Sequence, residues 1–205
     1  LMVVGGKTLL ERTIGCCRAA GARRIIVVTG FRAELIEAEV ARLTQGDLET
    51  VHNPAWTKSN GLSVYACRDH VDAPFALMMS DHVFDPSILA DLLALTPPPG
   101  SVTLAVDYKV AEVFDLDDAT KAQVDDGKIG PISKVLTTYN AIDCGLFLCT
   151  PAIFAALGEV VARKGDTTLS EGVAIIGARG QFLPFDIGDR WWQDVKASDD
   201  FLDRV

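Results

Sequence analysis

Leu9, Leu10, Ile14 and Cys17 fall at helical spacing, so a helix is predicted over residues 8–20, stopped by Gly21. Residues 24–29 read Arg-Ile-Ile-Val-Val-Thr, a short β-branched run with few polar positions, as expected of a strand buried on both faces. Gly30 ends it, and the pattern then predicts a helix over 33–43, a strand over 48–52 and a helix over 61–70. A second apolar strand, 75–80, runs into Ser80-Asp81-His82. A helix over 86–95 follows, Pro97-Pro98-Pro99-Gly100 forces a turn, and 102–106 is again a strand.

Strand and helix alternating in this way argue for a mostly parallel sheet with helices on both faces. Beyond residue 106 the pattern changes. Residues 123–133 read strand, Asp125-Asp126-Gly127 turn, strand, which is a hairpin signal. A strand over 141–149, helices over 151–163 and 169–178, a strand over 182–187 and a short helix from Ser198 complete the prediction. No repeat, low-complexity tract or linker interrupts the chain. The expected architecture is one α/β domain over 1–205, with a doubly wound first half and a hairpin-containing second half that could cover a site.

With 205 residues, 49% of them hydrophobic, the chain can bury one sizeable core. The net charge of −9 repels nucleic acid and anionic lipid surfaces, so neither is expected as a partner. It also disfavours phosphate-rich small molecules unless metal ions and well-placed Lys or Arg offset it. The five Cys (Cys16, Cys17, Cys67, Cys144 and Cys149) include no C-x-x-C pair and read as reduced, small apolar residues. With no signal peptide and no apolar run of about 18 residues, a cytoplasmic location is expected.

Asp81 follows directly on an apolar strand, and ligands of open α/β sheets bind beyond the carboxyl ends of strands. A carboxylate there can hold a metal against a phosphate; it can equally be a turn or N-cap Asp. Asp194 ends the run Gly188-Asp189-Arg190-Trp191-Trp192-Gln193-Asp194. Its two Trp are either core or lid aromatics or a dry wall beside a second metal-binding acid. The polar segment from Asn53 to Ser63 can contact a base or ribose, or simply cap the next helix through Asn60 or Ser63. Lys121 and Lys134 flank the hairpin and either hold a substrate phosphate or stay solvated. Of the three His, only His82 neighbours a candidate site, and no G-x-S-x-G, Walker A or G-x-G-x-x-G is present.

Taken in order, these segments resemble the nucleotidyltransferases. Gly5-Gly6-Lys7-Thr8-Leu9-Leu10-Glu11-Arg12 is similar to their "GGKPLLER" segment, and Asn53-Pro54 followed by Asn60-Gly61-Leu62-Ser63 looks like their nucleotide loop. Ser80-Asp81-His82 resembles their metal-binding turn. Asp118-Ala119-Thr120-Lys121, Asp143-Cys144-Gly145 and Gly188 to Val195 are similar to the inositol-1-phosphate cytidylyltransferases in particular. The resemblance implies a Rossmann-like fold and transfer of a cytidylyl group from CTP to inositol 1-phosphate. By the same resemblance, Asp81 and Asp194 would be the catalytic acids and hold Mg²⁺. Asn60, Gly61, Ser63 and Asp81 would lie along the nucleotide, and Lys121, Lys134, Asp143 and Gly145 would line the acceptor pocket.

Two departures stand out. The family opens with a strand, a Gly-rich phosphate loop and a Pro-Lys pair, whereas this sequence begins at Leu1-Met2-Val3-Val4 without them. Cys144 stands where the family carries Thr and loses a hydroxyl hydrogen bond. A sugar 1-phosphate or phosphocholine is the alternative acceptor; phosphocholine calls for an aromatic or acidic cage, and Asp143 with Lys134 favours a polyol. A non-catalytic nucleotide-binding or regulatory domain is the alternative of another class. A homodimer, and fusion to a membrane-embedded domain outside this sequence, are left open.

Overall fold

Local chemistry fixes the helix starts in the computed structural model, which describes residues 1–195. A small antiparallel pair, β1 (Val3–Val4) and β2 (Lys7–Thr8), leads into α1 (Leu9–Ala19). The Thr8 hydroxyl caps α1 by accepting from the Glu11 N–H at 3.0 Å. β3 (Ile25–Thr29), α2 (Ala33–Leu43) and β4 (Leu48–His52) form a unit in which β3 and β4 pair in parallel. α3 (Gly61–Ala66) stops short of the predicted end at residue 70. There the Arg24 guanidinium donates to the His70 carbonyl at 2.7 Å, while Glu49 of β4 sits 2.7 Å from the His70 ring. These contacts hold the end of the segment in a turn.

β5 (Phe75–Met78) and β6 (His82–Phe84) precede α4 (Pro86–Ala94), which Asp85 caps and Pro86 opens. β7 (Val102–Asp107) is buried along its whole length. The hairpin of β8 (Lys121–Asp125) and β9 (Lys128–Ser133) follows, then β10 (Ala141–Cys149) and the helices α5 (Ala152–Lys164) and α6 (Leu169–Ala178). Thr168 and Glu171 form a reciprocal capping box at the start of α6. β11 (Phe182–Asp186) and β12 (Trp192–Asp194) complete the described elements; the helix expected from Ser198 lies outside the described residues.

The main sheet has the order β11-β7-β10-β8-β9, with β5 also paired to β10. β11 runs parallel to β7, and both β7 and β5 are antiparallel to β10. β8 is antiparallel to β10 as well, so β11, β7, β5 and β8 share one sense, and the reversed β10 lies between β7 on one side and β5 and β8 on the other. Side-chain alternation sends Val102, Leu104 and Val106 of β7, with Phe147 and Cys149 of β10, into a core shared with Ile153, Leu157, Val173 and Ile176 of α5 and α6. Ala105, Leu146 and Leu148 point the other way, against Cys17 of α1 and Ile88, Leu89 and Leu92 of α4. Helices thus cover both faces of the main sheet, as the alternation of strand and helix predicts; β3, expected to be buried on both faces, instead has Ile25 to Val28 only partly buried beside β4. No helix among the described residues is long and apolar enough to cross a membrane.

Candidate active site

Two three-residue strands build the site. β6 follows Asp81 directly, and β12 pairs with it antiparallel, placing Asp194 opposite His82. The Val195 N–H donates to the Asp81 carbonyl at 2.7 Å and locks this register. Acids more than a hundred positions apart in sequence are thereby brought together. A carboxylate oxygen of Asp81, a ring nitrogen of His82 and a carboxylate oxygen of Asp194 all lie within 4.8 Å of one another. Such a set of two hard carboxylate donors and one imidazole suits a divalent cation that keeps coordination positions for water and phosphate.

His82 is the hinge of the arrangement. Its Nδ1 donates to Asp81 Oδ1 at 2.9 Å, and this bond holds the Asp81 carboxyl below the usual carboxylate range. The other side of the ring stacks on Trp192, with centroids 5.7 Å apart and planes 11° from parallel. It also rests on the β10 backbone at Gly145, where a Cβ would come within 2.7 Å of His82 Cδ2. Gly145 has φ +74 and occupies an irregularity in the β10 pairing between Asp143 and Phe147. Its N–H donates to Asp143 Oδ1 at 2.7 Å. Burial pushes the Asp143 carboxyl up to about 6, against the opposing effect of that hydrogen bond.

These residues line a cleft of about 390 Å³. Asn60, Lys134, Asp118 and Thr120 also border it. Lys134 Nζ donates to Asp118 Oδ1 at 2.9 Å, with both side chains about half exposed. Acidic groups outnumber Lys109, Lys134 and Arg190 in the lining, so an anionic substrate needs added positive charge to settle there.

Asp81, Asp194, Asn60, Lys134, Asp143 and Gly145 therefore share the cleft. Gly61, Ser63 and Lys121 are placed elsewhere. Gly61 starts α3 against the backbone before α6, where a Cβ would lie 2.5 Å from the Thr167 carbonyl oxygen. The Ser63 hydroxyl accepts from Asn53 Nδ2 at 3.0 Å. Lys121 is buried, and its ammonium donates to the carbonyls of Asp117, Ala119 and Lys134 at 3.3, 3.2 and 2.9 Å. It staples the hairpin to the segment before it. The Asn60 carboxamide oxygen accepts from the Leu169 N–H at 3.0 Å, tying the cleft edge to α6. Asp107 and Lys109 were not singled out from the sequence, yet both line the cleft. The rule that selects Asp81, an acid just past an apolar strand, also selects Asp107 at the end of β7.

Residues 1–166 match the family of MobA-like NTP transferase domains. A protein of Rubrobacter xylanophilus named bifunctional IPC transferase and DIPP synthase is 29% identical over 198 residues, covering 96% of this chain and 44% of the relative. One of the same name from Thermococcus kodakarensis is 34% identical over 172 residues, covering 83% of this chain and 38% of the relative. The chain thus spans less than half the length of these curated relatives. Among solved structures, the inositol-1-phosphate CTP transferase from T. maritima superposes with a TM-score of 0.82 at 22% identity, covering 96% of this chain and 80% of that one. At that identity the likeness establishes the fold.

Proposed function

This chain belongs to the family of MobA-like NTP transferase domains, and on that footing we propose that it transfers a cytidylyl group from CTP to inositol 1-phosphate, with Mg²⁺, releasing pyrophosphate. The observation that carries the reading is the convergence of Asp81 and Asp194 on one point of the cleft. The names of the relatives from Rubrobacter xylanophilus and Thermococcus kodakarensis, and of the T. maritima structure, support the choice of substrates.

In this reaction a phosphate oxygen of the acceptor attacks the α-phosphorus of CTP in line. A P–O bond forms there as the bond to the β-phosphate oxygen breaks, and the electron pair leaves with pyrophosphate. Little covalent help is needed; positioning and charge neutralisation supply most of the acceleration. Asp81 and Asp194 would hold the cation, which screens phosphate charge and orients the α-phosphate. His82 keeps Asp81 ionised and aimed, because its N–H bonds the charged carboxylate. Asn60, Gly61 and Ser63 serve the nucleotide, Asn60 by direct contact at the cleft edge and the other two by shaping the start of α3. Lys134 meets the acceptor phosphate, and Asp143 with Gly145 reads acceptor hydroxyls; Lys121 acts by holding the carbonyl of Lys134 in place. A polyol acceptor accords with this polar wall, where phosphocholine would call for an aromatic cage.

The test is Mg²⁺-dependent pyrophosphate release by the full-length protein carrying Asp81→Ala or Asp194→Ala. Each substitution should abolish turnover while circular dichroism stays that of the parent. Near-parental turnover in either variant removes that carboxylate from the metal site.

A further inference from the structure

Asp107 is buried at the end of β7, and the reaction as described gives it nothing to do. Its acceptor capacity is nonetheless spent on specific partners. Oδ2 accepts from the Trp192 indole N–H at 2.9 Å, and Oδ1 accepts from the Lys109 N–H at 2.8 Å and the Lys109 ammonium at 2.9 Å. The same ammonium donates to the carbonyls of Gly188 and, at 3.4 Å, Arg190. Buried Asp107 and partly exposed Lys109 together thus grip the turn that delivers β12. Burying the Asp107 carboxylate is costly even with a cation beside it and is weak evidence of a stability role, whereas fixing a register is the best-attested use of a buried polar group.

What the pair fixes follows from strand alternation. Trp192 and Asp194 are two residues apart on β12 and project from the same face. The backbone between them refers Asp194 to the Trp192 ring. That ring stacks on His82, and His82 bonds Asp81. Both carboxylates are therefore referred to one anchor, Asp194 through the strand and Asp81 through the stacked rings.

We infer that Asp107, paired with Lys109, is a positioning residue that sets the spacing of Asp81 and Asp194, with the Trp192 indole as the strut. This rests on the reading of those two acids as the metal ligands. Partners just outside a metal site commonly change affinity by 10-fold or more when removed.

The experiment is titration of the full-length protein with Mn²⁺, free ion being read by electron paramagnetic resonance, alongside the metal dependence of pyrophosphate release. Trp192→Phe keeps an aromatic ring for the stack and deletes one N–H. It should weaken Mn²⁺ binding about 10-fold and raise the metal activation constant by the same factor, without a matching rise in the KM for CTP. Asp107→Ala should do the same or worse, and Asp107→Asn, which still offers an acceptor to Trp192, should fall between. Asp194→Asn is the reference. If it loses Mn²⁺ while Trp192→Phe binds like the parent, the strut is overturned and the metal reading stands. If Asp194→Asn itself binds Mn²⁺ like the parent, the underlying reading fails and the inference with it. Should Asp107→Ala not fold, Trp192→Phe alone decides.

Discussion

Replacing Gly145 by Ala adds one methyl group and attacks the site at its hinge. Two costs can be separated. The backbone at Gly145 has φ +74, and an L side chain in that region costs about 1–2 kcal/mol. The added Cβ would also lie 2.7 Å from His82 Cδ2 and 2.8 Å from Nε2, closer than any real contact, so the ring must move. Its freedom to do so is small, because Trp192 stacks on it and Asp81 holds its Nδ1. Gly165 supplies the control. It ends α5 with φ +70 and has nothing within 4 Å of an added Cβ, so it incurs the backbone cost alone. At about 2–4 °C per kcal/mol for a domain of this size, Gly165→Ala should lower the melting temperature by several degrees and leave turnover at the parental level. Gly145→Ala should lose at least as much stability. It should also lose roughly 10-fold or more in kcat/KM, since the ring that orients Asp81 is displaced. Thermal denaturation and pyrophosphate release on the two variants make the comparison. Equal turnover in both would refute the claim that the Gly145–His82 contact shapes the site.

Lys121→Met removes the donor to three carbonyls and should cost about 1–3 kcal/mol, seen as a lower urea midpoint; an unchanged midpoint would show that solvent replaces the ammonium without loss. Arg18 holds the Asp47 carboxyl far below its ordinary value through bonds at 2.6 and 2.8 Å. Its folded pKa being the lower one, this contribution is fully present at neutral pH and is lost as the pH falls through and below the ordinary carboxylate range. Asp47→Asn should therefore destabilise the protein at pH 7 and narrow its gap to the parent at pH 3, as followed by urea denaturation at both values; a gap independent of pH would contradict the assignment.

Much of the fold is legible in the sequence because long apolar runs leave few choices. The strand over 141–149 and the helices over 33–43 and 169–178 appear with the bounds their periodicity predicts. The sense of β10 is not legible, since an apolar run reads the same in either direction. β6 and β12 escape for another reason: three residues carry no periodicity, and each strand exists because the other is there. The site shares this divide. Asp81 is legible from the apolar strand before it, but its proximity to Asp194 is a product of the β6–β12 register. Lys121 and Lys134 look alike along the chain, yet one is buried against carbonyls and the other faces the cleft. Side-chain type alone does not separate them; the fold of the hairpin does.

The most direct test of the proposed reaction is pyrophosphate release by the full-length protein with Mg²⁺. Each of the four NTPs would be paired with inositol 1-phosphate, a sugar 1-phosphate and phosphocholine. Release with CTP and inositol 1-phosphate alone is the predicted result; release with another pair instead, or with none, would contradict it.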